Sequence, residues 1–380
     1  MYRRIFSLSL VVASSLLFLL AACGGGGDDS LLESELVTSA DLPAALAFAP
    51  DGRLFYVEKQ TGNVRIITPE GDLLPEPFAH VDVAVQFDWG LNGIAIDPDF
   101  ESNRYVYVAF MRLEEDATAR PIVMRFTDDD DIGVDPTIIV EDLQETDPEH
   151  KFFVAVGNIH FGPDGFLYIA NGDYDVAENA QDLTSTAGKI LRVDKEDGSA
   201  PPDNPFVDEE EADARVFAYG LRRPFHFAFH PETGQLYVPD NGVVTCDELN
   251  IVEAGKNYGW PATYEFRYSD CEAKQVSQPI YFFAQEGMQP EDHLSVVVPR
   301  GIAFPSASVY PVLADSLIVC EEITNIMRRL LLAGANNDRV TEGEVVVRDC
   351  ALDVAVSPDG TIYYSNHTEI RRLVPEPVPD

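Results

Sequence analysis

The stretch that decides the fold is VFAYGLRRPFHFAFHPETGQLYV, residues 216–238. Its second half follows a short pattern: apolar, small, apolar, any residue, proline, an acidic or polar residue, a turn, and then an aliphatic-aromatic strand. Proline presets the backbone φ in such a turn, and glycine accepts a positive φ. Because side chains alternate on both sides of the turn, the pattern predicts a β-hairpin.

The same hairpin pattern occurs six times along the chain. The copies occupy residues 46–57, 94–108, 159–169, 227–238, 302–319 and 354–364. A small hairpin buries its faces only against its neighbours, so a repeat of this kind indicates sheets arranged radially. Alternating segments between the copies supply further strands. The sequence therefore predicts an all-β fold, a six-bladed β-propeller with four-stranded blades.

Two other fold classes explain the sequence less well. A two-sheet sandwich is the alternative for a chain of short strands, but it does not account for the repeat. A doubly wound α/β fold needs long helices, and no segment of the sequence has a long helical period with caps.

The N-terminal residues indicate export. Arg3 and Arg4 precede an apolar run over residues 5–22, which ends in Leu-Ala-Ala just before Cys23. This pattern predicts a lipoprotein signal peptide over residues 1–22, and an uncleaved membrane anchor is the alternative.

The rest of the chain divides into a short segment and one large domain. Lipidated Cys23 would begin a flexible tether over residues 23–41, and the propeller would occupy residues 42–376. We therefore expect an exported protein that is lipid-anchored to a bacterial membrane, with the outer membrane and its periplasmic or surface face as the expected location.

Four cysteines follow Cys23, which is an even number for a compartment where disulfides form. We expect Cys246 to pair with Cys271 and Cys320 to pair with Cys350. Four cysteines allow three pairings, so the other two stay open.

The net charge excludes one class of partner. The chain has 26 Lys and Arg against 65 Asp and Glu, a formal charge of −39, which becomes −41 when Arg3 and Arg4 leave with the signal peptide. Such a charge repels the phosphates of nucleic acids and anionic lipid surfaces. We expect no nucleic acid partner, and membrane contact only through the lipid anchor.

Several longer motifs carry a family resemblance. They are FAPDG at 48–52, GLNGIAIDPDF at 90–100, YGLR at 219–222, DELN at 247–250 and NYGWP at 257–261. With these motifs the chain resembles the glucose/sorbosone dehydrogenase family over nearly all of its predicted mature part. That family consists of six-bladed propellers that oxidise sugars with pyrroloquinoline quinone and calcium. The resemblance therefore implies both cofactors and a carbohydrate or other small-molecule ligand.

The resemblance also implies a calcium site. Glu248 and Tyr258 match a metal-binding pair of the family, and oxygen ligands suit this hard cation. The backbone carbonyls of Gly242 and Val243 match the loop that holds calcium against the quinone. The alternative for Glu248 is a carboxylate that caps a turn.

Three further positions match cofactor contacts of the family. Arg222 matches an arginine that faces the quinone carboxylates, a pairing that uses charge-assisted hydrogen bonds. Arg223 stands where the family usually has Asn. Asp88 stands where it has Gln or Glu, and its carboxylate would repel an anionic cofactor unless a cation lies between them. An ordinary polar residue on the rim is the alternative for each position.

Other positions depart from the family pattern. Val154 stands at the position of the histidine that takes the proton of the sugar hydroxyl, and valine cannot accept a proton. Cys350 and Leu352 replace two cofactor-binding arginines, and residues 320–324 contain no lysine where the family has one. These departures predict a site with few positive charges.

Weak substitutes for the missing base are His150 and His160, although each fits a packing or surface role better. Residues 173–175, Asp-Tyr-Asp, could form a polar entrance to the channel or a solvated loop. Two functional hypotheses follow. The first is a calcium-containing binding lipoprotein for a carbohydrate or other small ligand, with impaired quinone chemistry. The second is a working quinone-dependent dehydrogenase that oxidises aldoses.

Overall fold

The structure of the protein is a computed structural model that describes residues 31–115, 118–144, 146, 155–261, 276–289, 292 and 294–375. Strands account for nearly all regular structure in these ranges, and they form six antiparallel sheets of four strands each. The predicted six-bladed β-propeller with four-stranded blades is therefore confirmed.

The first three blades follow each other along the chain after β1 (Ser34–Ser39), which belongs to the last blade. The first blade consists of β2 (Pro43–Phe48), β3 (Leu54–Glu58), β4 (Asn63–Ile67) and β5 (Ala79–His80). The second consists of β6 (Leu91–Ile96), β7 (Tyr105–Leu113), β8 (Ala119–Asp129) and β9 (Ile132–Val140). The third consists of β10 (Val156–Phe161), β11 (Leu167–Asn171), β12 (Lys189–Val193) and β13 (Val216–Tyr219).

The other three blades complete the ring. The fourth consists of β14 (Ala228–Phe229), β15 (Leu236–Asp240), β16 (Glu248–Val252) and β17 (Tyr281–Phe282). The fifth consists of β18 (Pro299–Ala303), β19 (Ser316–Glu321), β20 (Ile326–Ala333) and β21 (Arg339–Arg348). The sixth consists of β22 (Val354–Val356), β23 (Ile362–Ser365), β24 (Glu369–Leu373) and β1. The described helical segments are α1 (Phe100–Asn103) and the 3₁₀ turns Ala177–Gln181 and Pro311–Leu313.

The ring is closed by strands from opposite ends of the described chain. Strand β1 pairs antiparallel with β24, and Ser34 lies opposite Leu373. Strand β1 therefore supplies the outermost strand of the sixth blade. Residues 34–39, which were predicted to belong to the tether, form this strand in the structure.

The hairpin turns have the backbone geometry that the repeat predicts. Gly52, Gly165 and Gly360 have φ of 89°, 81° and 88°, a region that side chains with a Cβ rarely adopt. In the first hairpin, the amide of Ala49 donates to the carbonyl of Arg53 at 2.9 Å and the amide of Gly52 donates to Ala49 at 3.0 Å. The glycine of Pro-Asp-Gly therefore closes the turn.

The innermost strands of the six blades surround a central channel. At the end where β2, β6, β10, β14, β18 and β22 finish, their side chains line a mostly apolar cavity of about 440 Å³. Phe48, Phe161 and Phe304 are among its lining residues, and His160 is the titratable one. Polar groups are therefore concentrated elsewhere in the channel.

The expected disulfide between Cys320 and Cys350 is present, and it joins β19 of the fifth blade to the segment before β22. Cys246 is also disulfide-bonded. Its expected partner, Cys271, lies outside the described residues.

The predicted signal peptide and Cys23 lie outside the described residues too. Among the residues that are described, no helix combines the length and the apolar character needed to cross a membrane.

Candidate functional site

Charged side chains gather at the end of the channel where the innermost strands begin, which we call the channel mouth. They lie at strand ends and in loops of several blades. The residues are Lys59, Asp88, Arg222, Arg223, Arg300 and Glu322.

Three cations converge on the carboxylate of Asp88. Lys59 Nζ lies 3.6 Å and Arg300 Nη2 3.2 Å from Asp88 Oδ1. Arg223 forms an ion pair with Asp88 Oδ2. Arg300 Nη2 also lies 2.6 Å from Glu322 Oε2. These five residues, which we call the Asp88 cluster, contain three positive and two negative side chains and connect separate blades.

The Asp88 cluster is largely shielded from water. The side chains of Lys59, Asp88 and Arg300 are 11%, 8% and 3% exposed. Burial alone would raise the pKa of Asp88, but the surrounding cations outweigh it and hold this pKa below its usual value. Burial lowers the pKa of Lys59 to about 8, although Asp88 opposes the shift. The carboxylate is therefore ionised at neutral pH among cations that it does not fully balance.

Lys59 and Arg300 were not anticipated from the sequence. The expectation of a mouth with few positive charges is wrong, because these two side chains join Arg222 and Arg223 there. The hairpin repeat contained a signal for both residues. Lys59 directly follows the second strand of the first hairpin, and Arg300 lies at the start of the first strand of the fifth hairpin. In an antiparallel hairpin both positions lie at the same end, so the repeat places them together.

Arg222 directly precedes Arg223 and is also held at the mouth. Its Nη1 donates to the carbonyls of Asn241 at 2.9 Å and Gly242 at 2.7 Å. Its guanidinium carbon lies 5.7 Å from the centroid of a Trp260 ring. The backbone amide of Arg222 donates to Asp240, at 2.9 Å from Oδ2. Arg222 is therefore fixed from both its backbone and its side chain.

Asp173 is the member of the predicted 173–175 entrance that contacts the mouth. Its amide donates to the carbonyl of Arg222 at 2.9 Å, and its Oδ2 accepts from Trp260 Nε1 at 2.8 Å. Burial raises the pKa of Asp173 to about 6, with Arg222 opposing the shift. Tyr174 is buried and donates to Asn171, so its hydroxyl has a packing role.

The predicted calcium positions have partners within the protein. Glu248 is buried in β16 and accepts from Asn250 Nδ2 at 3.0 Å. The Tyr258 hydroxyl donates to the carbonyl of Ile251 at 2.8 Å. The Gly242 carbonyl, one of the two predicted backbone ligands, accepts a hydrogen bond from Arg222. Val243, which carries the other carbonyl, is 40% exposed. The described residues contain no group of three or more His, Cys, Asp and Glu arranged for a metal.

The histidines of the channel lie below the mouth. His160 lines the apolar cavity, and burial lowers its pKa to about 4 although Asp353 opposes the shift. His226, which the sequence did not single out, is 1% exposed, and its Nδ1 lies 3.1 Å from Asp353 Oδ1. Asn158 Nδ2 lies 3.3 Å from His160 Nε2 and 3.2 Å from His226 Nδ1. The two histidines therefore belong to a polar layer inside the channel.

Among the described residues, those that depart from the family pattern are buried. Cys350 and Leu352 are 0% and 5% exposed and pack in the protein interior. Glu321 is buried and pairs with Arg328, so it faces away from the mouth cations. Val154 and His150 lie outside the described residues.

Comparisons with known proteins agree with this architecture. An aldose sugar dehydrogenase of Escherichia coli (strain K12) is 29% identical over 338 residues, 85% of this chain and 86% of that protein. Quinoprotein glucose dehydrogenase B of Acinetobacter calcoaceticus is 26% identical, over 60% of this chain and 51% of that protein. A solved oxidoreductase (glucose dehydrogenase) of Thermus thermophilus superimposes with a TM-score of 0.76 at 30% identity, covering 90% of this chain and all of that one. Residues 40–374 match the model of the Glucose / Sorbosone dehydrogenase family, and the chain therefore belongs to that family.

Proposed function

We propose that this chain binds pyrroloquinoline quinone, or an anion of the same planar polycarboxylate class, at the channel mouth, and that its oxidation of aldoses is impaired. The supporting observation is the gathering of four cations at one end of the channel of a chain whose net charge is −39. Four carboxylates, those of Asp88, Glu322, Asp173 and Asp240, lie among these cations, and the guanidinium and ammonium groups are the charge partners that an anionic ligand needs.

The chemistry of the side chains fits this ligand class. Guanidinium groups bind carboxylates through paired, charge-assisted hydrogen bonds, and Arg222, Arg223 and Arg300 provide three of them. Arg300 also lies 4.1 Å from the Phe225 ring centroid, and Arg222 lies beside Trp260. These stacking contacts orient the two guanidinium groups. When bound, the quinone would supply the two-electron oxidant, while the three guanidinium groups would hold its carboxylates.

Calcium is part of the proposal. Glu248 and an oxygen of Tyr258 would form one pair of calcium ligands, and the carbonyls of Gly242 and Val243 would hold calcium beside the quinone, since oxygen donors are the type that calcium prefers. The Gly242 carbonyl accepts from Arg222, so an ion bound there would share this oxygen with the guanidinium. Calcium titration followed by calorimetry tests the site, and loss of the heat in Glu248→Gln is the expected result.

The proposed impairment of aldose oxidation is inferred from the residue at the position of the proton acceptor. Val154 stands at the family's base position, and a missing general base costs about 10²- to 10⁴-fold in rate. Binding of a ligand or of a carbohydrate does not require that base. The protein would then act mainly by binding.

A titration with pyrroloquinoline quinone in the presence of calcium tests the proposal. We expect saturable binding in the calorimeter, about tenfold weaker in Arg222→Met, which corresponds to about 1.4 kcal/mol. Arg329→Met is a matched control. Arg329 lies on β20, its Nη1 is 3.1 Å from Glu344 Oε2, and it is not part of the mouth. Absence of binding to the wild type rejects the proposal, and equal weakening by both variants rejects the role of Arg222.

One observation favours the second hypothesis, a working dehydrogenase. Asp173 lies beside Arg222, and its pKa of about 6 suits a proton acceptor at neutral pH. If Asp173 is that acceptor, aldose-dependent dye reduction rises as the pH passes through about 6. The Asp173→Asn variant then loses this activity but still binds the quinone. Activity that is unchanged in the variant excludes this candidate.

We further propose that the protein is exported and lipid-anchored through Cys23. The sequence pattern of residues 1–23 supports this location. Mass spectrometry of the N-terminal peptide from cell membranes tests it. An acylated Cys23 is expected, and an unmodified peptide that retains Arg3 would refute it.

A further inference from the structure

We propose that Lys59, Arg223 and Arg300 form a carboxylate-binding site of which Asp88 is the built-in occupant. A ligand carboxylate would bind by taking the place of the Asp88 side chain. The inference deepens the proposed function and rests on it for the identity of the ligand, whereas the existence of the site rests on the geometry of the Asp88 cluster alone.

The cations of this site come from well separated parts of the chain. Lys59 follows a strand of the first blade, Arg223 precedes the fourth blade, and Arg300 lies in β18 of the fifth. One carboxylate, that of Asp88, is shared by all three, at 3.6 Å from Lys59 and 3.2 Å from Arg300. Side chains from three blades therefore meet around a single anion.

Two of the three cations have anchors other than Asp88. Arg300 stacks on Phe225 and pairs with Glu322, and the amide of Arg223 donates to Asp240 Oδ1 at 2.6 Å. Arg223 Nε is buried and has no hydrogen-bond partner among the described residues. Arg300 and the backbone of Arg223 thus have partners besides Asp88, and the free Arg223 Nε is a donor for a second carboxylate oxygen.

Asp88 lies on the segment between β5 and β6, which carries local backbone strain. The preceding residue, Phe87, has φ of 47°, and its side chain is 55% exposed. A bulky residue in this conformation is costly and is found preferentially at functional sites. The Asp88 carbonyl accepts from Asn92 Nδ2 at 2.8 Å. The backbone of Asp88 is thereby held in place, and the proposed exchange is a rotation of the Asp88 side chain.

The rim of the mouth indicates what is attached to the carboxylate. Large apolar side chains are exposed in the surrounding loops, namely Phe87, Val243, Leu294 and Ile323. The amide of Leu294 donates to the carbonyl of Val244, and the amide of Ile323 donates to that of Val297, so these loops adjoin one another. An anion with an apolar or aromatic body fits this rim better than a small inorganic ion does.

The test compares the wild type with Asp88→Asn, which keeps the shape of the side chain and removes its charge. In this variant Glu322 is the one remaining carboxylate of the Asp88 cluster. We expect malonate to raise the melting temperature of Asp88→Asn by about 2 °C or more, and to leave the melting temperature of the wild type nearly unchanged. Asp97→Asn is the matched control. Asp97 is buried and pairs with Lys195 at 2.9 Å, but Lys195 keeps Asp99 at 3.1 Å, so no anion site opens.

Calorimetry with pyrroloquinoline quinone separates this inference from the proposed function. Asp88→Asn should bind about tenfold more tightly than the wild type, because the internal competitor is gone. Malonate stabilisation without quinone binding supports the site and refutes the proposed ligand. Measurable quinone binding of equal affinity in wild type and variant, or equal malonate effects in Asp88→Asn and Asp97→Asn, overturns the site.

A second variant covers the case in which Asp88→Asn does not fold. Arg300→Gln removes one of the three cations and leaves Asp88 in place. We expect it to weaken quinone binding about tenfold, and unchanged affinity in this folded variant contradicts the inference.

Discussion

Asp240 holds both arginines of the mouth by their backbones. Its Oδ2 accepts from the amide of Arg222 at 2.9 Å, and its Oδ1 accepts from that of Arg223 at 2.6 Å. Burial raises the pKa of Asp240 to about 7, although these hydrogen bonds oppose the shift. The position of the cations is therefore linked to the protonation of one buried carboxyl group.

Stability should depend on pH through Asp240. Its pKa in the folded protein lies above the ordinary value of 3.8, so its contribution is fully present below about pH 4 and is lost as the pH rises through about 7. Asp240→Asn imitates the protonated form, and the free energy of unfolding of the wild type should fall relative to this variant between about pH 4 and about pH 8. Urea titrations across that range measure the difference.

The control for this prediction is Asp197→Asn. Asp197 is exposed, and its pKa is lowered by a hydrogen bond involving Ser199, so its stabilising contribution does not decline over the same range. A constant difference between the wild type and Asp240→Asn at all pH values would show that Asp240 is not the linked group.

Individual site residues were easiest to predict where a recognisable motif contains them or lies close to them in the sequence. Arg222 lies in Tyr-Gly-Leu-Arg, and Asp88 lies two residues before a conspicuous Gly-Leu-Asn-Gly segment. Arg300 has no motif around it, and its partner Asp88 is 212 positions away. Such a pair forms because the blades meet around the channel, so its members can be found from their places in the hairpin repeat but not from the residues beside them.

At the level of strands, the hairpins were predictable because each is encoded by adjacent residues. Alternation and Pro-Asp-Gly turns specify β2 with β3, and likewise β22 with β23. Strand β1 escaped prediction because its pairing partner, β24, lies at the other end of the described chain. Glu35 and Arg372, which form an ion pair across this junction, are 337 positions apart.

Removal of β1 should destabilise the propeller. A chain that begins at residue 31 retains β1, whereas one that begins at residue 40 exposes the unpaired edge of β24. We expect the shorter chain to lose about 3 kcal/mol or more in free energy of unfolding, since several hydrogen bonds of about 1 kcal/mol net each are lost. Urea midpoints of the two chains measure the loss. The same midpoint for both would mean that β1 does not contribute to closure.

The disulfide between β19 and the segment before β22 should stabilise the same ring. Cys320 and Cys350 are 30 positions apart, and a loop of this length corresponds to about 3.6 kcal/mol of stabilisation. The double variant Cys320→Ala, Cys350→Ala should lose that amount in urea denaturation under oxidising conditions. Under reducing conditions the wild type should approach the variant. A difference that persists after full reduction would indicate altered packing instead.

For the whole molecule, the acidic composition is the dominant electrostatic property. A net charge of −39 produces repulsion between surface carboxylates, which salt screens. At neutral pH the melting temperature should rise by about 3 °C between about 0.05 M and about 0.5 M sodium chloride. Near pH 4.3, the sequence isoelectric point, the rise should disappear. A salt effect of equal size at both pH values would rule out charge repulsion as its cause.

Because β1 and β24 come from opposite ends of the described chain, ribosomal synthesis produces one long before the other. The individual hairpins can form as they emerge, yet the sixth sheet has to wait for the final strand. A product of premature termination would carry β1 with nothing to pair against, and its exposed edge would mark it for proteolysis. The sixth blade is therefore complete only after β24 has been synthesised.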